Sequence, residues 1–240
     1  MTISTACSSS AKVFASADRW LHCGVADAVL VAGVDSLCRS IVYGFESLQL
    51  ASRGLCRPFD ERRDGLNIGE AAALALVTRE RAGTPVARLL GYGESCDAHH
   101  MSSPHPEGLG ARLAMEQALR SSGISASEIG YVNLHGTGTR TNDAIESLAL
   151  AAVLPPGIPA SSTKGWTGHT LGAAGLVEAV LAMDVFATGL LPGNLNLQQV
   201  GRDIAYPVID DNLEAKVDFV MSNSFGFGGN NCVLLFGRGD

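Results

Sequence analysis

Cys7 lies in the run TACSSS (5–10), directly ahead of a helix-like stretch. Far along the chain come HGTGT (135–139) and KGWTGH (164–169), which contribute His135, Lys164 and His169. A cysteine reacts as its thiolate, and a helix start favours an anion through its unpaired N–H groups and partial positive charge. Cys7 is therefore expected to favour the thiolate. Two imidazoles converging on one point can donate hydrogen bonds to a developing enolate or oxyanion. Lys164 can hold a neighbour's charge state, and Glu178, fourteen residues on, can pair with it. One cysteine at a helix start, two separate histidines and a lysine form the inventory of thioester chemistry. Taken singly, each has a commoner role: a buried cysteine is usually a small apolar filler, and a lone histidine a satisfied structural imidazole.

The elements that must position these groups follow from local pattern. Residues 8–21 lack proline and glycine, carry apolar residues around most of the circumference, and stop at Gly24, which predicts a helix buried on several sides. Residues 28–32 and 71–77 are short apolar runs, the first expected to be a strand covered on both faces. A connector at 83–85 marks the expected boundary between a first unit, 1–82, and a second, 83–240. In the second, strands are predicted at 86–92, 131–134, 217–221 and 232–236, and helices at 109–121, 142–153 and 173–187. Alternating strands and helices predict a layered α/β architecture.

The bulk composition narrows the function. A chain of 240 residues, 46% apolar and 17% charged, folds around a real core. A net charge of −7 without a long basic run argues against nucleic acid. Arg53, Arg57, Arg62 and Arg63 form the densest basic cluster, open to two readings: a patch for an acidic partner or a solvated loop. Six cysteines without a CxxC pair fit a reducing compartment, read as cytoplasmic, and give no zinc framework. His99, His100 and His105 match no standard metal spacing and fit a surface or pocket-rim loop, so no metal is expected. No basic-then-apolar leader is visible from Met1, so no secretion signal is expected. The apolar stretch 171–191 carries Glu178 and Asp184 and reads as a buried helix, not a membrane span.

Five motifs in order, TACSSS (5–10), RPFDERRDG (57–65), HGTGT with Asn142, Asp143 and Glu146, KGWTGHTLGAAG (164–175) and NSFGFGGNN (223–231), resemble the β-ketoacyl-acyl-carrier-protein synthases. These are the condensing enzymes of fatty-acid and polyketide assembly. DAHHMSSP (97–104) resembles the elongating fatty-acid branch. The resemblance implies a thiolase-like α/β/α/β/α fold, here an incomplete first half plus a complete second half. It implies an acyltransferase in which Cys7 takes an acyl group from the phosphopantetheine arm of an acyl-carrier protein. His135 and His169 would assist decarboxylation of malonyl-carrier protein, and the enolate would condense with the Cys7 thioester. Lys164 matches the family's active-site lysine, with Glu178 as its acid. Asp143 and Glu146 match the family motif as supporting residues, and Thr137 and Thr139 would bind the pantetheine arm. The N–H groups of Cys7 and Phe227 would form an oxyanion hole, with Phe227 gating the acyl pocket beside Phe225. No cofactor is implied beyond the carrier's own arm.

Members of that family are longer, with the cysteine well inside the chain. The expectation is exposed strand edges and apolar surface, and a homodimer or heterodimer in which a second chain can supply the missing strands. The alternative function is a catalytically incompetent fragment or non-catalytic partner subunit; Cys7, His135, Lys164 and His169 argue against the partner subunit, and the missing N-terminal half keeps the alternative open. A thiolase would carry a second cysteine just before its C-terminal glycine-rich loop, where Phe227 stands here. A cysteine hydrolase leaves Lys164 and the paired histidines unexplained. A turn at 69–73 poorer in glycine than the family's usual one is expected to alter strand packing, not chemistry.

Overall fold

Strand residues that alternate or run apolar, separated by glycine-stopped helices, assemble here into stacked layers. The computed structural model describes residues 1–79 and 83–239; the expected boundary at 82/83 falls beside residues outside that description. In chain order the principal elements are α1 (Ser9–His22), β1 (Ala28–Asp35), α2 (Arg39–Ser47), β2 (Ala71–Thr78), β3 (Ala87–Cys96), α3 (Leu109–Ser122), β4 (Tyr131–Asn133), α4 (Arg140–Val153), β5 (Ala160–Ser161), α5 (Lys164–Thr167), α6 (Ala174–Thr188), β6 (Leu190–Leu191), β7 (Leu213–Glu214), β8 (Phe219–Gly226) and β9 (Asn230–Arg238).

A five-stranded mixed sheet runs β3-β9-β8-β4-β5, antiparallel through β3, β9 and β8 and parallel from β8 to β5. Its inner strands β8 and β9 are buried along nearly their whole length, as strands covered on both faces require. Helices α3 and α4 pack on one face around Met115, Leu134, Leu150 and Met221. Helices α1 and α6 pack on the other around Phe14, Leu176, Val220 and Leu234. Beyond them lies an antiparallel ribbon of β1 and β2. The stretch 171–191 is thus an interior helix: half of the 171–188 window is buried, and Glu178 sits in an ion pair.

Two expectations need correction. Strand β1 is not covered on both faces among the described residues. Val31 and Gly33 point inward, while Leu30, Val34, Leu74 and Leu76 are each 62–68% exposed, because among the described residues the ribbon packs on one face, against α1, α6 and the turn at 171–173. Helix α2 and the two-residue strands β5, β6 and β7 were not expected. The helix buries no residue fully, and strands of two residues carry no readable period.

Candidate active site

The sharp turn before α1 sets the position of Cys7. Ala6 adopts φ +52°, a left-handed conformation that costs an L residue about 1 kcal/mol. The turn is held by Ser9, whose Oγ donates to Ala6 O at 2.6 Å and accepts the Thr5 N–H at 2.8 Å. The end of β8 passes so close that a Cβ on Gly226 would lie 2.9 Å from Thr5 O and 3.2 Å from Cys7 N, so only glycine fits. Cys7 is buried, and its thiol is within reach of the Phe227 N–H and its own N–H.

The thiolate preference expected from the helix start is opposed by burial. Burial pushes the Cys7 thiol up to about 11, against the opposing pull of Lys164 and of the two N–H groups. Desolvation of a buried sulfur outweighs the positive end of one helix.

His135 follows β4, and its turn is clamped from α4. The Glu146 carboxylate accepts the N–H groups of His135 at 2.8 Å and Gly136 at 2.7 Å, and the Nδ2 group of Asn223 at 3.2 Å. Asp143, one turn earlier, accepts from Phe59 at 2.8 Å and Gly138 at 3.2 Å. Burial raises both carboxyls, Glu146 to about 7 and Asp143 to about 6, while these hydrogen bonds pull the other way.

His169 is held by its backbone. Its N–H donates to Asn67 O at 2.7 Å, and its carbonyl accepts from Gly69 N–H at 3.0 Å. The segment following RPFDERRDG therefore aligns the second histidine, a role the sequence reading did not assign.

The two rings meet at 5.3 Å between centroids, nearly perpendicular. One ligand-capable atom from each of Cys7, His135 and His169 lies within 4.8 Å of the others. Behind them Lys164 Nζ donates to the His135 carbonyl at 2.5 Å, to His135 Nδ1 at 3.4 Å and to Glu178 Oε1. Leu171 N–H donates to His169 Nδ1 at 3.3 Å. An Nδ1 that accepts must carry its lone pair, so in each neutral ring the proton sits on Nε2. Among the described residues His169 Nε2 is buried without a hydrogen-bond partner. Burial first, then Lys164, holds both imidazoles well below their ordinary range, with His169 adding to the effect on His135. They are neutral N–H donors, not cations. Burial also raises Glu178, opposed by Lys164.

These groups open on a cavity of about 110 Å³, lined also by Thr137, Thr139, Phe225, Phe227 and Asn142. The two threonine hydroxyls lie 2.9 Å apart, and Phe225 stands 6.0 Å from the His135 ring. Phe227 stacks on Phe45 of α2 at 5.7 Å. Phe45 was missed; the apolar spacing Ile41, Phe45, Leu48 was the available signal. Asp97, Ser102 and Pro104 form part of the rim, and the His99 and His105 rings meet edge to face at 5.2 Å between centroids. Of the arginine cluster, Arg63 is fully buried, 2.6 Å from Asp203 and 3.6 Å from Asp143, so it leaves the surface patch; Arg53 and Arg62 are exposed.

The family model described as "Beta-ketoacyl synthase, N-terminal domain" matches residues 1–82, and "Beta-ketoacyl synthase, C-terminal domain" matches residues 86–198. A putative mitochondrial 3-oxoacyl-[acyl-carrier-protein] synthase from Schizosaccharomyces pombe is 36% identical over 98% of this chain and 60% of its own length. Among solved structures, the ketosynthase ApeO in complex with its chain length factor ApeC from Xenorhabdus doucetiae superposes with TM-score 0.93 at 48% identity, covering 99% of this chain and 60% of that one. AntDE:AntF, a type II polyketide synthase acyl-carrier protein in complex with its ketosynthase, gives TM-score 0.93 at 30% identity over 99% of this chain and 62% of that one. The chain spans 46–60% of the length of three curated relatives it matches.

Proposed function

Because this chain belongs to the β-ketoacyl synthase family, with its thiolase-like layered fold, we propose that it is an acyltransferase performing decarboxylative Claisen condensation. An acyl thioester on Cys7 joins malonyl-acyl-carrier protein to give 3-oxoacyl-acyl-carrier protein, in fatty-acid or polyketide synthesis. The observation that carries this reading is the convergence of Cys7, His135 and His169 within 4.8 Å under one cavity, backed by the buried Lys164–Glu178 pair.

In the first half-reaction the Cys7 sulfur attacks the carrier's thioester carbonyl. The N–H groups of Cys7 and Phe227 receive the oxyanion, and the Cys7 proton leaves with the freed pantetheine thiol. In the second, malonyl thioester loses carbon dioxide. The negative charge that collects on its thioester oxygen is met by the Nε2–H donors of His135 and His169. The enolate carbon attacks the acyl carbonyl on Cys7, the carbon–sulfur bond breaks, and Cys7 departs as a thiolate that takes a proton from water. Lys164 and the Leu171 amide keep both rings in the donating tautomer, and Glu178 holds Lys164. Asp143 and Glu146 fix the turn that aims His135.

Thr137 and Thr139 receive the pantetheine arm, which arrives on the carrier, so no free cofactor enters. Phe225 and Phe227 border the acyl chain. Arg53, Arg57 and Arg62 are the carrier-facing charges. The apolar side of the β1–β2 ribbon supports assembly with another chain, as a homodimer or heterodimer. Six free cysteines support a reducing, cytoplasmic setting. The division into halves 1–82 and 83–240 is supported by the two family matches on either side of it. A non-catalytic partner subunit would have no use for a nucleophile seated against two donor histidines.

The test is acyl transfer. Incubated with an acyl-carrier thioester, the chain acquires one acyl group, located on Cys7 by peptide mass spectrometry; malonyl-carrier protein then releases 3-oxoacyl product. An acyl group on Cys38 or Cys96, or on no cysteine, sinks the reading. Iodoacetamide discriminates poorly, because Cys38 is exposed and its thiol is lowered by the Ser40 side chain.

A further inference from the structure

The three reactive side chains also form a metal-ligand set. A thiolate and two imidazoles with an open fourth position are the donors of a zinc site. Metal–ligand bonds of about 2.0–2.3 Å require tetrahedral ligand atoms about 3.5 Å apart. The cluster already sits within 4.8 Å, so movements on the order of 1 Å would close it. Shape alone does not exclude a soft divalent cation.

The surrounding shell does. A metal-bound imidazole donates its remote N–H to a carbonyl or carboxylate. Here both remote nitrogens meet donors instead: Lys164 Nζ at 3.4 Å from His135 Nδ1, and Leu171 N–H at 3.3 Å from His169 Nδ1. Each donor drives the ring proton onto Nε2, the atom a metal in the cavity would need. The lysine also sets an ammonium against a ligand ring. Leu171 presents its amide from φ +52°, a left-handed conformation that side-chain-bearing residues avoid.

We propose that Lys164, assisted by the Leu171 amide, keeps the Cys7–His135–His169 cluster from capturing zinc and similar soft divalent cations. Loss of Lys164 converts the cluster into a metal site. Removing the lysine takes away both the charge and the donor at His135 Nδ1, and it frees Glu178, a carboxylate of the kind metal-bound histidines recruit as a partner. This inference does not rest on the condensing activity, since metal binding is read without turnover.

The experiment titrates the whole chain with Co²⁺, reading the near-ultraviolet thiolate-to-cobalt band and the visible bands of a tetrahedral ion, with Zn²⁺ as competitor. Lys164→Met is expected to bind at least about tenfold more tightly than the unaltered chain, as for changes in the shell behind a metal ligand. Adding Cys7→Ser abolishes the thiolate band. If Lys164→Met does not fold by circular dichroism, Lys164→Met with Glu178→Gln removes the charge and the donor at His135 Nδ1 without freeing a carboxylate, and is still expected to bind more tightly than the unaltered chain. Equal midpoints for the unaltered chain and a folded variant overturn the proposal, as does a folded variant with no Cys7-dependent band.

Discussion

Replacing Glu146 by glutamine should change how stability depends on pH. In the native chain this carboxyl is raised from 4.5 to about 7 by burial, against the N–H groups of Gly136 and His135. Between those two values the folded state holds a proton on Glu146 that the unfolded state has released. Stability from this group is therefore fully present below pH 4.5 and falls as pH rises towards 7. A shift of that size corresponds to about 3 kcal/mol, at about 1.4 kcal/mol per unit. Glutamine cannot ionise, so the variant lacks this loss. It brings a cost of its own at every pH, because its NH2 group must face a backbone N–H that the carboxylate accepted, about 1–3 kcal/mol. Asp143 titrates in the same sense below about 6, and the neutral histidines act in the opposite sense below 6.5; both are present in the two proteins, so the difference between them reports Glu146 together with its coupling to Asp143. The measurement is urea unfolding of both proteins, followed by tryptophan fluorescence, at intervals between about pH 4.5 and 8. The disadvantage of Glu146→Gln should shrink by about 3 kcal/mol across that range. A difference that stays constant within about 0.5 kcal/mol would refute a buried, proton-retaining Glu146.

Gly175→Ala should destabilise the chain by about 1–3 kcal/mol, because its Cβ would lie 2.5 Å from Ala11 N and 2.7 Å from Ala11 Cβ where α6 crosses α1; thermal unfolding reads it, and an unchanged midpoint contradicts the close contact. Inactivation by a cerulenin-type epoxide at Cys7 should rise with pH without a plateau through the neutral range, since burial sets the thiol at about 11; a plateau below about pH 8 would mean a free thiolate. Thr137→Val with Thr139→Val should raise KM for the carrier-borne substrate several-fold with kcat little changed, in steady-state assays of carrier-protein condensation; a loss confined to kcat would move these hydroxyls from arm binding to the chemistry. Phe45→Ala should lower kcat while shifting the unfolding midpoint little, since this half-buried ring supports Phe227 rather than a core; unchanged turnover would remove Phe45 from the gate.

Local pattern carried much of the architecture. Helix α1 was legible from its uninterrupted run and glycine stop, α6 from its apolar length, and β8–β9 from apolar runs flanking glycines. The candidate residues were legible as types, since only a few side chains attack, donate or hold charge, and Cys7, His135, Lys164, His169 and Glu178 stand in short, distinctive runs. Tertiary structure decided what depends on partners remote in the chain. It buried Arg63 against Asp143 and Asp203, bound His169 to Asn67 and Gly69, and set Phe45 on Phe227. It also reversed the expected ionisation of Cys7, because desolvation is a property of everything packed around a sulfur and helix position only one part of that field. Tautomers follow the same logic: a histidine's sequence context names the ring, but the donor that arrives at Nδ1 from Lys164 or Leu171 determines which nitrogen carries the proton.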